Sequence, residues 1–395
     1  MKLEEIVQQK KVLLVTDAPF WEGKMGSHQR ILAIARALKD SCSLKVFFFG
    51  SIGLQRRTEI EAAGFKDMVV SYKNFDQHLK PEKVGLPQLS SFADIPGLKR
   101  RRHHAFYTTF AQYIAAETPD IVLIEYIYLA YLHDAIPQRC LKLIDTHDVM
   151  CFREYRFYQH KMLKAISMSV SYQEEQSILE RFDAVLAIQK HEYKILRKML
   201  PQKVIILCPH SISYSGQNQR HVNKIENIGF IGADNEANRS GLDWFLKQVW
   251  PIVKQLDLKL YIFGKVGDRF QRLCDSDESI NNMSDQLSQA EIYSMVDCMI
   301  NPVFVGGGLK IKTLEALAYS KPIISSQEGS VGIENPGQNG IIMAQNRLEF
   351  IEALIQLVKQ PDYADELIQQ GKNTIENQFS AENCYQPLID LISCC

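Results

Sequence analysis

The 395-residue chain is long enough for two domains of ordinary size, and 46% hydrophobic residues is typical of globular cores. Its 45 basic and 46 acidic side chains give a net charge of −1, which excludes a global field that recruits nucleic acid. Nine cysteines without CxxC pairs argue against a zinc site or a disulfide framework and fit a reducing compartment. A polar N-terminus, and no apolar run of about 18 residues, predict a cytoplasmic protein without signal peptide or spanning helix.

Short apolar runs alternate with helical sequence through residues 1–207. Such runs are typical of buried parallel strands, and they occur at residues 12–15, 44–49, 121–125, 141–144, 183–188 and 204–207. The alternation predicts a doubly wound, Rossmann-like N-terminal domain. The loop after the first strand contains Gly23 and Gly26, at the sheet edge where open α/β sheets form their crevice. These two glycines alone are more often part of a plain turn than of a ligand contact.

A basic run stands out in this nearly neutral chain, formed by Lys99, Arg100, Arg101 and Arg102. Most such runs are solvated faces. The alternative is a basic rim for an anionic acceptor or for peripheral contact with the inner membrane face.

A histidine follows the predicted strand 141–144 in the segment LIDTHDV. His147 lies between two carboxylates, Asp145 and Asp148, at the carboxyl end of that strand. Carboxylates in this arrangement can orient an imidazole for chemistry. A single histidine at a strand end is more often structural, so the residues alone leave both readings open.

Residues 208–227 have the composition of a linker, and strands resume at 228–231, 260–263, 298–301 and 322–325. This pattern predicts a second Rossmann-like domain over 228–379, followed by a tail at 380–395.

The organising stretch of this second domain begins with Gly306, Gly307 and Gly308. These glycines precede a helix predicted over 309–318, so the backbone can approach a ligand and the helix start can offer N–H groups to an anion. Lys310 and Lys312 put positive charge where the helix dipole disfavours it, which favours a bound phosphate or pyrophosphate. Three glycines alone could equally form a turn with solvated lysines.

The segment GGGLKIKTLEALAYSKPII, followed by GSVGI, resembles the donor-binding segment of the family-four glycosyltransferases (glycosyl transferases group 1). LIDTHDV and the stretch from residue 228 to Trp244 and Phe245 resemble the same family. The resemblance implies the GT-B fold, in which two Rossmann-like doubly wound domains face a central cleft. It also implies that the final residues cross back to the N-terminal domain.

The resemblance assigns roles to residues of the glycine turn and its helix. It implies that the turn glycines hold the donor diphosphate together with Leu309, Lys312 and Thr313, that Lys310 is catalytic, and that Glu315 holds the ribose. One departure is that Gly307 stands where many members carry a first glutamate.

Outside that stretch, the resemblance implies that His147 acts at the donor sugar and that Asp148 joins Gly23 and Gly26 on the acceptor side. Arg239 and Lys265 are the candidates for phosphate neutralisation in the second domain.

These residues predict a glycosyltransferase that moves a sugar from a nucleotide-diphosphate donor to a glycan, lipid-linked or protein acceptor. The resemblance implies that the reaction retains configuration, and we expect it to need neither metal nor other cofactor and to serve bacterial-type surface glycan or glycoconjugate synthesis. Three alternatives remain. The first is a non-catalytic GT-B partner of another transferase, which the missing carboxylate at Gly307 keeps open; the second is a nucleotide-sugar epimerase or hydrolase, and the third is an oxidoreductase. A dinucleotide-dependent oxidoreductase is disfavoured, because no GxGxxG follows Val15.

Overall fold

The computed structural model describes residues 9–73, 103–163, 170–216, 224–283, 287–335 and 337–394. The basic run Lys99, Arg100, Arg101 and Arg102 lies outside these residues. Among the described helices, none combines the length and the hydropathy needed to cross a membrane.

Contacts between Cα atoms divide the chain into two compact units. The first takes the described residues of Met1–Phe152, Met168–His210 and Cys384–Cys395, and the second takes those of Arg153–Ser167 and Ser211–Asn383. Each unit has its own apolar core. The domain boundaries 1–207, 208–227, 228–379 and 380–395 remain predictions.

The first unit is built on a seven-stranded parallel sheet with the order β3-β2-β1-β4-β5-β6-β7. Its strands are β1 (Lys11–Thr16), β2 (Ser43–Phe48), β3 (Val69–Ser71), β4 (Ile121–Glu125), β5 (Leu141–Asp145), β6 (Ala184–Ala187) and β7 (Val204–Leu207). All five residues of β4 are buried, as expected of a parallel strand covered on both faces. The strand order reverses between β1 and β4, where open sheets of this kind form a ligand crevice.

Helices connect these strands. The α-helices of the first unit are Gly26–Ser41, Leu54–Ala62, His104–Glu117, Tyr172–Leu179 and Lys190–Met199, with 3-10 segments at Phe20–Glu22 and Ile127–Ala135. Helices Met150–Gln159 and Ala381–Cys394 are each divided between the two units. The first helix buries Ile31, Ile34, Ala35 and Leu38, at the three- and four-residue spacing of an amphipathic helix.

The second unit is built on a six-stranded parallel sheet with the order β10-β9-β8-β11-β12-β13. Its strands are β8 (Asn227–Ile231), β9 (Lys259–Phe263), β10 (Ile280–Met283), β11 (Cys298–Asn301), β12 (Ile323–Ser325) and β13 (Ile341–Met343). The α-helices are Glu236–Gln248, Trp250–Val253, Gln271–Ser276, Gln289–Ser294, Ile311–Ala318, Arg347–Lys359 and Pro361–Gln378, with 3-10 segments at Lys254–Leu256, Gly267–Phe270 and Glu328–Ser330. The strand order reverses between β8 and β11. The prediction of two doubly wound parallel sheets is confirmed.

Candidate functional site

In the first unit, two carboxylates end neighbouring strands beside His147. Glu125 ends β4 and Asp145 ends β5, and the two residues are paired directly across the sheet. His147 follows in a left-handed conformation with φ of 58°. Its Nε2 lies 2.7 Å from Glu125 Oε2 and 3.5 Å from Asp145 Oδ2. Both carboxylates are fully buried and the imidazole is only 6% exposed.

Arg30 completes this cluster from helix Gly26–Ser41. Its Nε donates to Asp145 Oδ2 at 2.6 Å, its Nη2 to Asp145 Oδ1 at 2.8 Å, and its Nη1 to the Cys208 carbonyl at 2.8 Å. The Arg30 side chain has no solvent exposure. We call Arg30, Glu125, Asp145 and His147 the buried quartet. Sequence analysis missed Arg30 and Glu125.

The two carboxyls of the quartet ionise differently. Burial raises the pKa of Glu125 to about 7, and the neighbouring charge of Asp145 adds to the rise. Burial also pushes the pKa of Asp145 upward, but the charges of Arg30 and His147 outweigh it and leave that pKa below its usual value. Near neutral pH, Asp145 is therefore the ionised partner of Arg30, whereas Glu125 holds a proton in a large fraction of molecules.

The His147 imidazole is also fixed by aromatic rings. The ring of Tyr126 stacks on it with centroids 3.7 Å apart and planes within 10°. Tyr126 stacks in turn on Tyr128 at 4.8 Å, and the Tyr128 hydroxyl donates to Asp17 Oδ1 at 3.0 Å. The ring orientation of His147 is therefore set before any ligand binds. A role for His147 at the donor sugar stays a prediction.

Three members of the quartet also have the composition of a candidate cation site. Ligand atoms of Glu125, Asp145 and His147 lie within 4.8 Å of one another. Both oxygens of Asp145 already accept hydrogen bonds from the Arg30 guanidinium, whose positive charge repels a cation at this distance. The residues therefore fit an ion-pair network better than a metal site.

The predicted acceptor-side residues lie on the loops of the same sheet edge. Gly23 ends the segment Phe20–Glu22 with φ of 63°, and its carbonyl accepts from Gln29 Nε2 at 3.3 Å. Gly26 is the first residue of its helix, and Asp148 is half-buried beside His147. Contact between these residues and an acceptor stays a prediction.

In the second unit, the glycine turn follows β11, and its helix begins at Ile311, two residues later than predicted. The reason is that Lys310 takes an extended backbone conformation as the N-cap residue, with φ of −86° and ψ of 90°. Gly308 is left-handed, with φ of 61°. In the described part of the chain, the amides of Ile311 and Lys312 have no carbonyl or side-chain partner, as is usual in the first turn of a helix. These amides can meet an anion.

The Lys310 side chain folds back over the glycine turn. Its Nζ donates to the Gly307 carbonyl at 2.9 Å, to the Gly308 carbonyl at 3.4 Å and to Glu328 Oε1 at 2.8 Å. Glu328 also accepts from Arg156 Nη1 at 2.9 Å. Sequence analysis identified Lys310 as a cation of the turn but missed Glu328 and Arg156.

Lys312 is a half-buried cation without a carboxylate at hydrogen-bond distance among the described residues. Its Nζ donates to Asn238 Oδ1 at 2.8 Å and lies 4.6 Å from the centroid of the Phe230 ring. Burial lowers the pKa of Lys312 to about 7, and the positive charge of Lys310 contributes to the lowering. Positive charge at this helix start is thus disfavoured until an anion arrives, as the sequence predicts.

Three further residues predicted to bind the donor, at this turn and helix, are buried: Leu309, Thr313 and Glu315. Glu315 is 4% exposed, and its carboxylate accepts from Gln289 Nε2 and, at 3.2 Å, from the Tyr293 hydroxyl. The Thr313 hydroxyl donates to the Gly329 carbonyl at 2.6 Å, and thereby holds the segment Glu328–Ser330 against the helix. Leu309 is 7% exposed.

The two outlying cations differ in their surroundings. Arg239 Nη1 lies 2.7 Å from Asp234 Oδ1, and Arg269 contacts the other oxygen of Asp234 at 2.8 Å. Lys265 is exposed and forms no ion pair with the described residues. Phosphate neutralisation by Arg239 or Lys265 stays a prediction.

Comparisons with known proteins find similarity in sequence over part of the chain and in fold over nearly all of it. Residues 225–360 match the family model described as "Glycosyl transferases group 1". A protein of Klebsiella pneumoniae described as an uncharacterized 44.6 kDa protein in the cps region is 24% identical over 226 residues, which cover 54% of this chain and 57% of that protein. The match thus spans little more than half the length of this curated relative.

Two solved structures resemble the chain along nearly its whole length. TarM has a TM-score of 0.73 at 11% identity, covering 99% of this chain and 100% of that one. Anabaena HepE, solved in complex with UDP-glucose, has a TM-score of 0.69 at 12% identity, covering 98% and 100%. At these identities the likeness establishes the fold that the three chains share.

Proposed function

We propose that the chain, whose residues 225–360 match the group 1 glycosyl transferases and which has the GT-B fold, transfers a sugar from a nucleoside-diphosphate sugar to an acceptor hydroxyl. The observation that carries the proposal is the glycine turn of the second unit. There, first-turn amides that have no partner among the described residues and two lysines gather at a helix start, at the point where the strand order reverses. This is where open parallel sheets bind ligands and where a helix favours an anion.

In the proposed mechanism, the second unit stabilises the leaving diphosphate. Negative charge grows on the diphosphate as the glycosidic bond breaks, and fixed donors aimed at that charge lower the barrier. Lys310, Lys312 and the first-turn amides are these donors. Glu315 takes the ribose hydroxyls, and for this it exchanges the hydrogen bond that it receives from Gln289.

The first unit contributes His147 in this proposal. The imidazole contacts the donor sugar, while Glu125 and the stacked ring of Tyr126 fix its orientation. We propose further that the reaction retains the configuration of the sugar and needs no metal.

The donor and the pathway class are proposed from the relatives. HepE is solved with UDP-glucose, which makes UDP-glucose the first donor to test. The Klebsiella pneumoniae relative is described by its position in the cps region, which supports a role in surface polysaccharide synthesis.

Isothermal titration calorimetry with UDP tests the binding step. We expect Lys310→Ala to raise the Kd by about tenfold, because it removes one charge-assisted hydrogen bond worth about 1.5 kcal/mol. The matched control is Lys247→Ala in the same unit, since Lys247 is 68% exposed and pairs with the surface residue Asp243. Equal affinities in the two variants would contradict the assignment of the diphosphate site.

Product analysis separates the alternatives. Transfer of glucose from UDP-glucose only when an acceptor is present supports the proposal, whereas free sugar or an epimer without acceptor supports a hydrolase or epimerase. If the wild-type protein binds none of a panel of nucleoside diphosphates, the non-catalytic partner alternative is favoured and the transferase proposal is wrong.

A further inference from the structure

The three N–H donors of the Lys310 ammonium all face acceptors of the protein. It points at the carbonyls of Gly307 and Gly308, at 2.9 and 3.4 Å, and at Glu328 Oε1, at 2.8 Å. An ammonium group has three N–H donors and no acceptor. A phosphate oxygen can therefore bind Lys310 only by replacing one of these partners.

Glu328 is the partner that a phosphate replaces most directly. Of the three groups that accept from Lys310, it is the one that carries a negative charge, so a second anion on the same ammonium would be repelled by it. The Lys310 and Glu328 side chains are 13% and 11% exposed, so water screens this repulsion only weakly.

Arg156 is a second ion-pair partner that can hold the Glu328 carboxylate after Lys310 has left it. Its Nη1 already donates to Glu328 Oε2 at 2.9 Å. Its Nε is buried and has no hydrogen-bond partner among the residues that the structure describes. When Lys310 leaves, Glu328 is still neutralised by Arg156, and a further guanidinium donor becomes available to it.

The backbone around the pair is fixed, so the exchange is a matter of side chains. The Gly329 amide donates to Ser326 Oγ at 3.0 Å, and its carbonyl accepts from Asn301 and Thr313. Gly306 provides the space: a Cβ at this position would lie 3.1 Å from Lys310 Nζ and 3.2 Å from Glu328 Oε1.

We propose that Glu328 is the resident counter-ion of Lys310 and that a nucleoside diphosphate binds by taking Lys310 from Glu328, which then remains on Arg156. This inference rests on the proposed function of the glycine turn and adds a competitor to it. Glu328 is thus a positioning residue that sets donor affinity without touching the reacting atoms. An uncharged sugar cannot drive the exchange, so the pair favours ligands that carry the diphosphate.

Calorimetry with UDP on four proteins tests the exchange: the wild type, Glu328→Gln, Arg156→Met and the double variant. Glutamine keeps the shape of the side chain but removes its charge, so we expect Glu328→Gln to bind UDP about fivefold more tightly than the wild type. Arg156→Met leaves Glu328 to Lys310 alone, so we expect about fivefold weaker binding. In the Glu328→Gln background, the Arg156 substitution should change the Kd by less than about twofold.

Unchanged or weaker UDP binding by Glu328→Gln would overturn the inference, as long as the variant melts like the wild type; Glu328→Ala provides a second variant for the same comparison. An equal loss on Arg156→Met in both backgrounds would mean that Arg156 contacts UDP itself, and the transfer of Glu328 to Arg156 would be wrong. Failure of the wild type to bind UDP or any other nucleoside diphosphate would instead remove the proposed function, and this inference with it.

Discussion

Replacing Arg30 with methionine tests the buried quartet most sharply. The Arg30 and Asp145 side chains are both 0% exposed and are joined by two hydrogen bonds of 2.6 and 2.8 Å. Methionine keeps much of the apolar stem but leaves the Asp145 carboxylate buried and unpaired. Removing one partner of a buried ion pair costs about 3–5 kcal/mol, and the lost bond to the Cys208 carbonyl adds about 1 kcal/mol. We therefore expect the first unit to lose about 4 kcal/mol or more.

The loss should depend on pH in a defined direction. In the wild type the folded pKa of Asp145 lies below its unfolded value, so its contribution to stability is present at neutral pH and declines only in acid. In Arg30→Met the same carboxyl is buried without the guanidinium, so its pKa rises and stability falls as the pH increases. The difference between the two proteins should therefore widen from about pH 5 to about pH 8.

Amide hydrogen exchange measured by mass spectrometry is the appropriate assay, because it reports opening free energies segment by segment. Peptides from β4 and β5 should exchange faster in Arg30→Met, while peptides from the second unit serve as the internal control. Asp145→Asn and the double variant complete a cycle that isolates the pair energy. A loss below about 1 kcal/mol, or one that is the same at both pH values, would refute the reasoning.

Three further substitutions have defined outcomes. Burial raises the folded pKa of Glu125 to about 7, so wild-type stability should fall as the pH rises from about 5 to 7; Glu125→Gln should flatten this slope in thermal melts, and an unchanged slope would contradict the shift. Burial lowers the pKa of Lys312 to about 7, so the wild type should gain stability as the pH rises from about 7 toward 10.5; Lys312→Met should lose this gain in urea titrations, and retention of the gain would assign it to another group. A Cβ on Gly241 would lie 2.4 Å from the Pro302 carbonyl oxygen, so Gly241→Ala should cost about 1–3 kcal/mol in urea unfolding, and an unchanged midpoint would contradict the close packing there.

The glycine turn could be predicted from the sequence because its parts are contiguous. Glycines, lysines and a glutamate within one short stretch define a turn, a helix start and their charges, and the structure moves the helix start only to Ile311. Glu328 could not be identified in this way, since its contact with Lys310 crosses between two strand ends. The available signal was its position soon after β12, which pairs with β11, the strand that precedes the turn. The carboxyl ends of parallel strands meet at one edge of a sheet.

Two of the four residues of the buried quartet could be identified from the sequence. LIDTHDV predicted His147 and Asp145 because they are adjacent in the chain. Glu125 ends an otherwise apolar strand, and the register that sets it beside Asp145 exists only in the folded sheet. Arg30 left a local signal, a charged residue on the face of helix Gly26–Ser41 that buries Ile31 and Ile34. Its partner lies far along the chain, so the sequence could not identify it.

Each unit contains a pair of oppositely charged side chains, and the two pairs differ in their solvent exposure. Arg30 and Asp145 are completely buried, and Asp145 raises the pKa of the guanidinium above its ordinary value, so the pair stays charged and is closed off from solvent. Lys310 and Glu328 retain 13% and 11% exposure, and Glu328 has a second cation in Arg156. A pair that is closed off from solvent stabilises a fold, because breaking it leaves a buried charge unpaired. A partly exposed pair whose carboxylate has a second cation beside it can exchange partners, because the carboxylate stays neutralised by that second cation throughout. The same argument predicts that substitutions in the first pair act on stability, whereas charge-removing, shape-preserving substitutions in the second act on ligand affinity.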